Sequence, residues 1–497
     1  MASPDSRFPG QFVLSRAELQ VPEGWLSESI GPWILGRHRS LPVIRLVDHG
    51  GEAIGWILGF PINPEGTLLA DGTEVRAPRH ADGSDESIEE FLYGHGGRFL
   101  AALVGKGHKR LYLDPTGSLS AVYCAHQGIV ASTPNLVPTD PRTGVNRELV
   151  ADLGIPHSNA KYPLELTPRF NVLRLIPNHY LDLDDWTSVR HWPKGLLTDD
   201  DSVENAAVAV AETTKRQIAA VVSRYPTYLR MTAGGDSRML LACAKGVKDR
   251  LELFTVMLPD DGAFLDVYVA RKIAGRCGIP HLVPRIEESS QEDLDDFMHR
   301  IGYGTGEVRG WQAATMFRKA NPAYAQLDGA VGALDRGGFY RDKDTRTSRI
   351  TPERLMTHCQ GPATERTLPP LRRWLETAPE LDTFQLLDLF FVEQLLGCWS
   401  GVLPYAEGGD PGFILYPMCH REIITRMMTL PTEYRLHGYR VCEKHHSGSP
   451  PFMAEIIRRE WPELLEWPFN IRFGSTKYLL EVRDILRKIQ SKVPLFS

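Results

Sequence analysis

Six consecutive residues, Thr232-Ala-Gly-Gly-Asp-Ser237, are of the types from which a phosphate-gripping turn is built. Glycines let the backbone approach a ligand closely and adopt positive φ. Successive N–H groups in such a turn make an anion-binding concavity, and a helix opening directly behind it adds a partial positive charge. The hydroxyls of Thr232 and Ser237 are further donors to phosphate oxygens. Asp236 is the odd member, because a carboxylate beside phosphates repels them unless a Mg²⁺ ion bridges the two; it is therefore the candidate metal ligand. The turn is not a Walker A loop, since the terminal Gly-Lys-Ser/Thr is missing, nor is it a dinucleotide GxGxxG. The same six residues also suit a strand-to-helix turn in which the Gly pair and an Asp N-cap serve geometry alone.

The flanking residues supply the elements such a turn needs. Tyr228–Met231 reads as a buried strand and Ser237–Lys245 as a helix; Leu251–Met257 is a second strand and Val267–Cys277 a second helix, closing at Gly278-Ile279-Pro280. Strands alternating with helices imply a parallel sheet with crossover helices. A long helix, Val203–Val222, precedes them, with Asp199-Asp200-Asp201-Ser202 as linker and N-cap. Residues before about 195 read as mostly β, with strands at Val43–Val47, Ile54–Leu58, Arg98–Leu103, Arg110–Asp114, Ala121–Cys124, Val172–Ile176 and His179–Leu183 and one helix around Ser87–Leu92. After about Thr367 the periodicity is helical, with candidates at Phe384–Trp399, His420–Leu430, Phe452–Leu465 and Lys477–Val493. Two domains follow, 1–195 and 203–497: a β-rich α+β unit, then an α/β unit with a Rossmann-like parallel sheet and a helical C-terminal part.

The turn resembles the Ser-Gly-Gly-x-Asp-Ser loop of ATP pyrophosphatases, with Thr232 in place of the first Ser and Ala233 in place of the first Gly. Further segments fall in the order seen in the asparagine synthetase-like family. Gly97-Arg98-Phe99, Leu111–Tyr123 and Val130–Thr133 look like its glutaminase-like, Ntn-hydrolase-type β-sandwich. Thr255-Val256 stands at a strand end, the helix with Asp266, Ala270 and Ile273 resembles the family's Asp-Glu-x-x-x-Ala-x-x-Val-Ala helix, and Tyr416-Pro417 through Leu430-Pro431 resembles its late helix. The resemblance implies ATP and Mg²⁺ as cofactors, held by Thr232, Ala233, Gly234, Gly235, Asp236, Ser237, Val256 and Gly332, with Asp236 on the metal.

Three departures shape what the resemblance implies. The family's glutamine-hydrolysing thiol directly follows the initiator methionine, and here that place is Ala2; the first cysteine, Cys124, falls in a strand. Glutamine is therefore not the expected nitrogen donor, the first domain braces the second or shapes a pocket, and a family analogy exists in the β-lactam synthetases, which also lack that cysteine and use an amine of the substrate. In Leu327–Tyr340, the segment nearest the family's acidic Gly-rich loop, the acidic pair falls on Ala333-Leu334, and Asp328 or Asp335 stands as its substitute. For the family's late lysine the chain offers Arg435, Arg440 and Lys444. Lys444, Arg440 and Asp335 are accordingly the candidate catalytic residues, since developing negative charge needs a fixed cation at short range. The loop 443–451 is the candidate lid.

Composition bounds the rest. The chain has 497 residues, 42% hydrophobic and 24% charged, with a net charge of −6. That balance fits a globular protein and gives no basic surface for nucleic acid. No run of ~18 apolar residues is present, so no membrane span is expected. The start lacks a secretory pattern, and the odd number of cysteines, 7 without a CxxC pair, fits reduced thiols in the cytoplasm. His445-His446 read as exposed loop residues, Asp295-Asp296 as a solvated helix face, Arg341–Arg354 as a surface excursion, and Trp311, Trp374 and Trp399 as packing residues. The expected activity is ATP-dependent amide formation through an acyl-adenylate, with release of AMP and pyrophosphate. Its partners are a small-molecule carboxylate and an amine or ammonia, and a homodimer is compatible with the sequence. Two other readings stay open: a non-catalytic nucleotide-binding or scaffold relative, and an ammonia-dependent asparagine synthetase.

Overall fold

The computed structural model describes residues 8–17, 21–78, 86–198, 202–257, 261–284, 290–306, 314, 321–408, 411–444, 450–467 and 469. The Asp199–Asp201 linker, Trp311, His445-His446 and the expected helix Lys477–Val493 lie outside the described residues.

The β-rich part is two stacked sheets. A six-stranded sheet runs in the order Leu173–Leu175, Ala121–Cys124, Ile129–Ala131, Phe12–Ser15, Trp33–Arg37, Leu26–Ile30, with every pairing antiparallel. A seven-stranded sheet runs Ser188–Arg190, His179–Asp182, Arg110–Leu113, Gly96–Leu103, Ala53–Ile62, Val43–Val47, Glu74–Arg76, antiparallel except for its last pair. Side-chain alternation explains the stacking. Phe12 and Leu14 point with Trp56, Leu58, Leu100 and Leu111 into the core between the sheets, while Val13 packs on the outer face with Val122 and Ile129. The other face of the seven-stranded sheet is covered by the helix Glu86–Tyr93 through Ile88 and Leu92.

The second part is a five-stranded, all-parallel sheet in the order His281–Leu282, Leu251–Phe254, Thr227–Arg230, Ala325–Leu327, Ile414–Leu415. The central strands carry fully buried Leu229, Leu253 and Leu327, each worth about 1.5–3 kcal/mol of burial. The helix Val203–Val222 starts where the sequence placed it, with the Ser202 hydroxyl accepting the Asn205 amide. The helix behind the turn spans Gly235–Cys243 and so opens two residues before the expected Ser237.

The two parts share a core. One cluster joins Phe60, Ile62, Leu149, Tyr162 and Trp192 to Ala206, Leu229, Phe390 and Phe413. Polar contacts stitch the same junction. Glu393, fully buried in the helical stretch after Thr383–Phe390, pairs with Arg190 and accepts from Asn178 and the Trp374 indole. The stretch Thr383–Glu407 is long and apolar enough to span a membrane by length and composition, and it is mostly buried inside this fold. All seven cysteines carry free thiols. The acidic helix Gln291–Arg300 shows the expected solvated face, and Trp374 is buried.

Candidate functional site

The order of the parallel sheet reverses between Thr227–Arg230 and Ala325–Leu327. From the first strand the chain steps outward one way to Leu251–Phe254 and His281–Leu282, and it then returns to the other side. In open parallel sheets a crevice lies outside the carboxyl ends of the strands at such a reversal, and ligands bind there. The Thr232–Ser237 turn leaves one of these two strands, and the Gly-rich segment beginning at Asp328 leaves the other.

The two segments touch, and two glycines permit it. A Cβ at Gly329 would lie 2.8 Å from Asp236 Cβ, and one at Gly332 would lie 2.3 Å from Asp236 Oδ1 and 2.3 Å from Met453 Cε. Gly332, expected in the nucleotide site, is thus in contact with the turn. Gly235 is a third close approach: a Cβ there would stand 2.8 Å from Pro450 Cγ. The start of the helix Pro451–Glu460 therefore covers one side of the turn.

Within the turn, side chains hold the backbone. The Thr232 amide donates to Ser237 Oγ at 3.1 Å and the Gly234 amide to Thr232 Oγ1 at 3.0 Å. The Ala233 amide donates to Asp266 Oδ1 at 2.8 Å, and the Ala233 carbonyl accepts from Arg238 Nη2 at 3.1 Å. The Thr232 and Ser237 hydroxyls also bond each other at 3.1 Å, which engages one of their two protons within the turn. Gly234 occupies the N-cap position with extended backbone, φ −73° and ψ 164°, and no side chain caps the helix. The first-turn amides of Gly235, Asp236 and Ser237 thus lack a capping acceptor, the condition under which a helix N-terminus receives an anion.

Asp236 is not a bare carboxylate. Arg336 grips it with both ends of its guanidinium, Nη1 to Oδ1 at 3.2 Å and Nη2 to Oδ2 at 3.2 Å. The side chains are 22% (Arg336) and 27% (Asp236) exposed, so the pair lies at the surface of the crevice. Among the described residues no group of three or more His, Cys, Asp or Glu is arranged to hold a metal. Mg²⁺ commonly takes only one or two carboxylates and completes its shell with phosphates and water, so a single Asp236 fits it when a triphosphate is present.

The other expected site residues are distributed differently. Asp335 is buried, and its Oδ2 accepts the amide of Met453, the third residue of the helix Pro451–Glu460, at 3.3 Å. It serves as an acceptor at the start of that helix. Arg440 is exposed and forms no hydrogen bond or ion pair with described residues, so the structure does not bring it to the turn. The side chain of Lys444 lies outside the described residues. Val256 follows its strand and packs against Tyr228 and Phe254. The cations bonded to the turn, among the described residues, are Arg336 and Arg238. Arg238 is fully buried and donates to the carbonyls of Trp467, Leu464 and Ala233 under the Phe469 ring; burial brings its pKa down to about 10. Sequence reasoning did not include Asp266, Arg238 or Arg336 in the site. Arg238 directly follows Ser237 and was open to notice; the other two required the fold.

The Gly97–Tyr123 region centres on Asp114. Its buried carboxylate accepts the amides of Phe99, Thr116, Ser118 and Leu119, two hydroxyls and, at 3.0 Å, the thiol of Cys419 from the second part. Cys124 is buried at its strand end, and burial pushes its thiol up, opposite to what a nucleophile needs. No protein-family model matches this chain, and no curated protein matches it.

Proposed function

We propose that the chain is an ATP-dependent amide-forming ligase of the asparagine synthetase-like kind that does not draw nitrogen from glutamine. The observation that carries this reading is the meeting of two glycine-rich segments at the reversal point of the parallel sheet, over an uncapped helix start. With Mg·ATP bound, a substrate carboxylate would attack the α-phosphorus, giving an acyl-adenylate and pyrophosphate, and an amine or ammonia would displace AMP. The amides of Gly235, Asp236 and Ser237 hold the departing pyrophosphate, and Asp236 positions the metal. Asp266 and Arg238 keep the turn in shape from below. Pro450 and Met453 limit water on one side, which an acyl-adenylate requires. The stacked sheets fit the glutaminase-like half of such a protein, used as a brace.

The test is pyrophosphate release from ATP with a panel of carboxylates and amines, aspartate with ammonia included. Asp236→Ala is expected to abolish it; turnover that survives the change would remove the turn from the mechanism. The Asp236–Arg336 pair favours a second reading, a relative that binds nucleotide without turnover. Saturable Mg·ATP binding with no pyrophosphate release under any substrate pair would select it.

A further inference from the structure

We propose that Arg336 is the working cation of the nucleotide turn: it neutralises Asp236 before nucleotide binds, and passes to the pyrophosphate oxygens when Mg²⁺ takes the carboxylate. This rests on the nucleotide reading above and adds to it a residue that neither the motif nor the late basic residues indicated.

The placement of Arg336 suits such an exchange. Its backbone is fixed by its neighbours, and its guanidinium reaches across to Asp236. The preceding residue, Asp335, is buried and bonded to the Met453 amide. Gly438 of the helix Thr432–Tyr439 lies so close that a Cβ there would stand 2.9 Å from the Asp335 carbonyl and 3.5 Å from Arg336 Cα. The next residue, Gly337, turns the chain away at φ +55°, where a Cβ would strike the Tyr340 ring at 2.3 Å. From this fixed point the guanidinium crosses to the first turn of the opposite helix and is partly open to solvent.

The electrostatics point the same way. A carboxylate in the first turn is welcome to the helix dipole and unwelcome to a phosphate. A guanidinium that forks onto the carboxylate removes the repulsion, and the same fork matches two phosphate oxygens. A pair with about a quarter of each side chain in solvent is held more weakly than a sealed one, so a divalent ion can compete for it. Arg238 cannot make the exchange, because it is fully buried and its bonds go to main-chain carbonyls.

The experiment measures two affinities on the full chain: Mn²⁺ alone, and Mg·pyrophosphate. Arg336→Ala is expected to weaken Mg·pyrophosphate by on the order of tenfold or more while strengthening Mn²⁺ binding, since the competitor for Asp236 is gone. Arg336→Lys, which keeps a charge but not the fork, should recover part of the pyrophosphate affinity. A merely structural arginine would move both affinities down together. That result, or no change in either, overturns the proposal. If the unaltered protein binds neither Mg·pyrophosphate nor Mg·ATP, the nucleotide reading itself falls, and the assignment of Arg336 with it.

Discussion

Two Asp–Arg pairs in the second part have the same chemistry and opposite surroundings. Asp388 and Arg435 meet at 2.5 Å with only 4% and 2% of their side chains exposed, and the Tyr340 hydroxyl donates to both carboxylate oxygens at 2.9 Å. Burial pushes the Asp388 carboxyl up to about 6 even with Arg435 against it. Asp236 and Arg336 meet at 3.2 Å with about a quarter of each side chain in solvent. The sealed pair is a structural commitment, because neither charge can leave without stranding the other in apolar surroundings. The open pair is the one at the sheet reversal, where the exchange proposed above would take place. Burial, more than the identity of the residues, separates an ion pair that holds a fold from one that a ligand can use.

The sharpest way to break this comparison is to neutralise each acid. Asp388→Asn leaves Arg435 buried without its counter-charge and should cost about 3–5 kcal/mol. Asp236→Asn should cost under about 1 kcal/mol while removing Mg²⁺-dependent nucleotide binding. Urea unfolding gives both stabilities; equal losses would erase the distinction. Next in size is Gly332→Ala, whose Cβ would fall 2.3 Å from Asp236 Oδ1. It should displace the open pair at a cost of about 1–3 kcal/mol, and should weaken Mg·ATP as seen by calorimetry.

Acid provides a milder probe of the buried side. Burial lowers His179, His281, His358 and His420 from 6.5 to about 4, and lowers His95 and His191 too. The unfolded chain therefore binds more protons than the folded one below pH 6.5, so this contribution is fully present above 6.5 and fades as pH falls toward 4. Asp388 acts in the opposite sense between its usual value and about 6, a single group against these six histidines. Unfolding midpoints at pH 7, 6 and 5 should fall in that order; a flat profile would mean the histidines are not held neutral. The smallest effect belongs to Arg440→Ala, which should change stability by under about 0.5 kcal/mol and leave Mg·pyrophosphate affinity untouched. A marked loss of affinity there would transfer the cation role from Arg336 to Arg440.

The sequence made some of this legible and not the rest, for physical reasons. The turn at 232–237 was readable as a strand-to-helix turn because a Gly pair stands between a buried strand and a helical run. Val43–Val47 and Ala121–Cys124 were readable because short apolar runs between turn residues leave little choice. Phe12–Ser15 and Trp33–Arg37 were missed, although both are nearly fully buried, because strands covered on both faces lose their polar alternation. The partners of the turn were hidden for a different reason. Asp266 lies 33 residues beyond Ala233 and Arg336 lies 100 residues beyond Asp236, and no local pattern encodes pairings at such separations. The bond from the Met453 amide to Asp335 was equally hidden, because an acid in a Gly-rich segment looks the same in sequence whichever group it faces.

The Cys419 thiol, lodged against the Asp114 carboxylate, has a further consequence. Expressed alone, residues 1–195 would lose a hydrogen-bond donor from the centre of their tightest corner, and Phe60 would lose the Phe413 ring stacked on it at 3.7 Å. A gene cut between the sandwich and the parallel sheet would therefore yield fragments that each carry an unfinished interior.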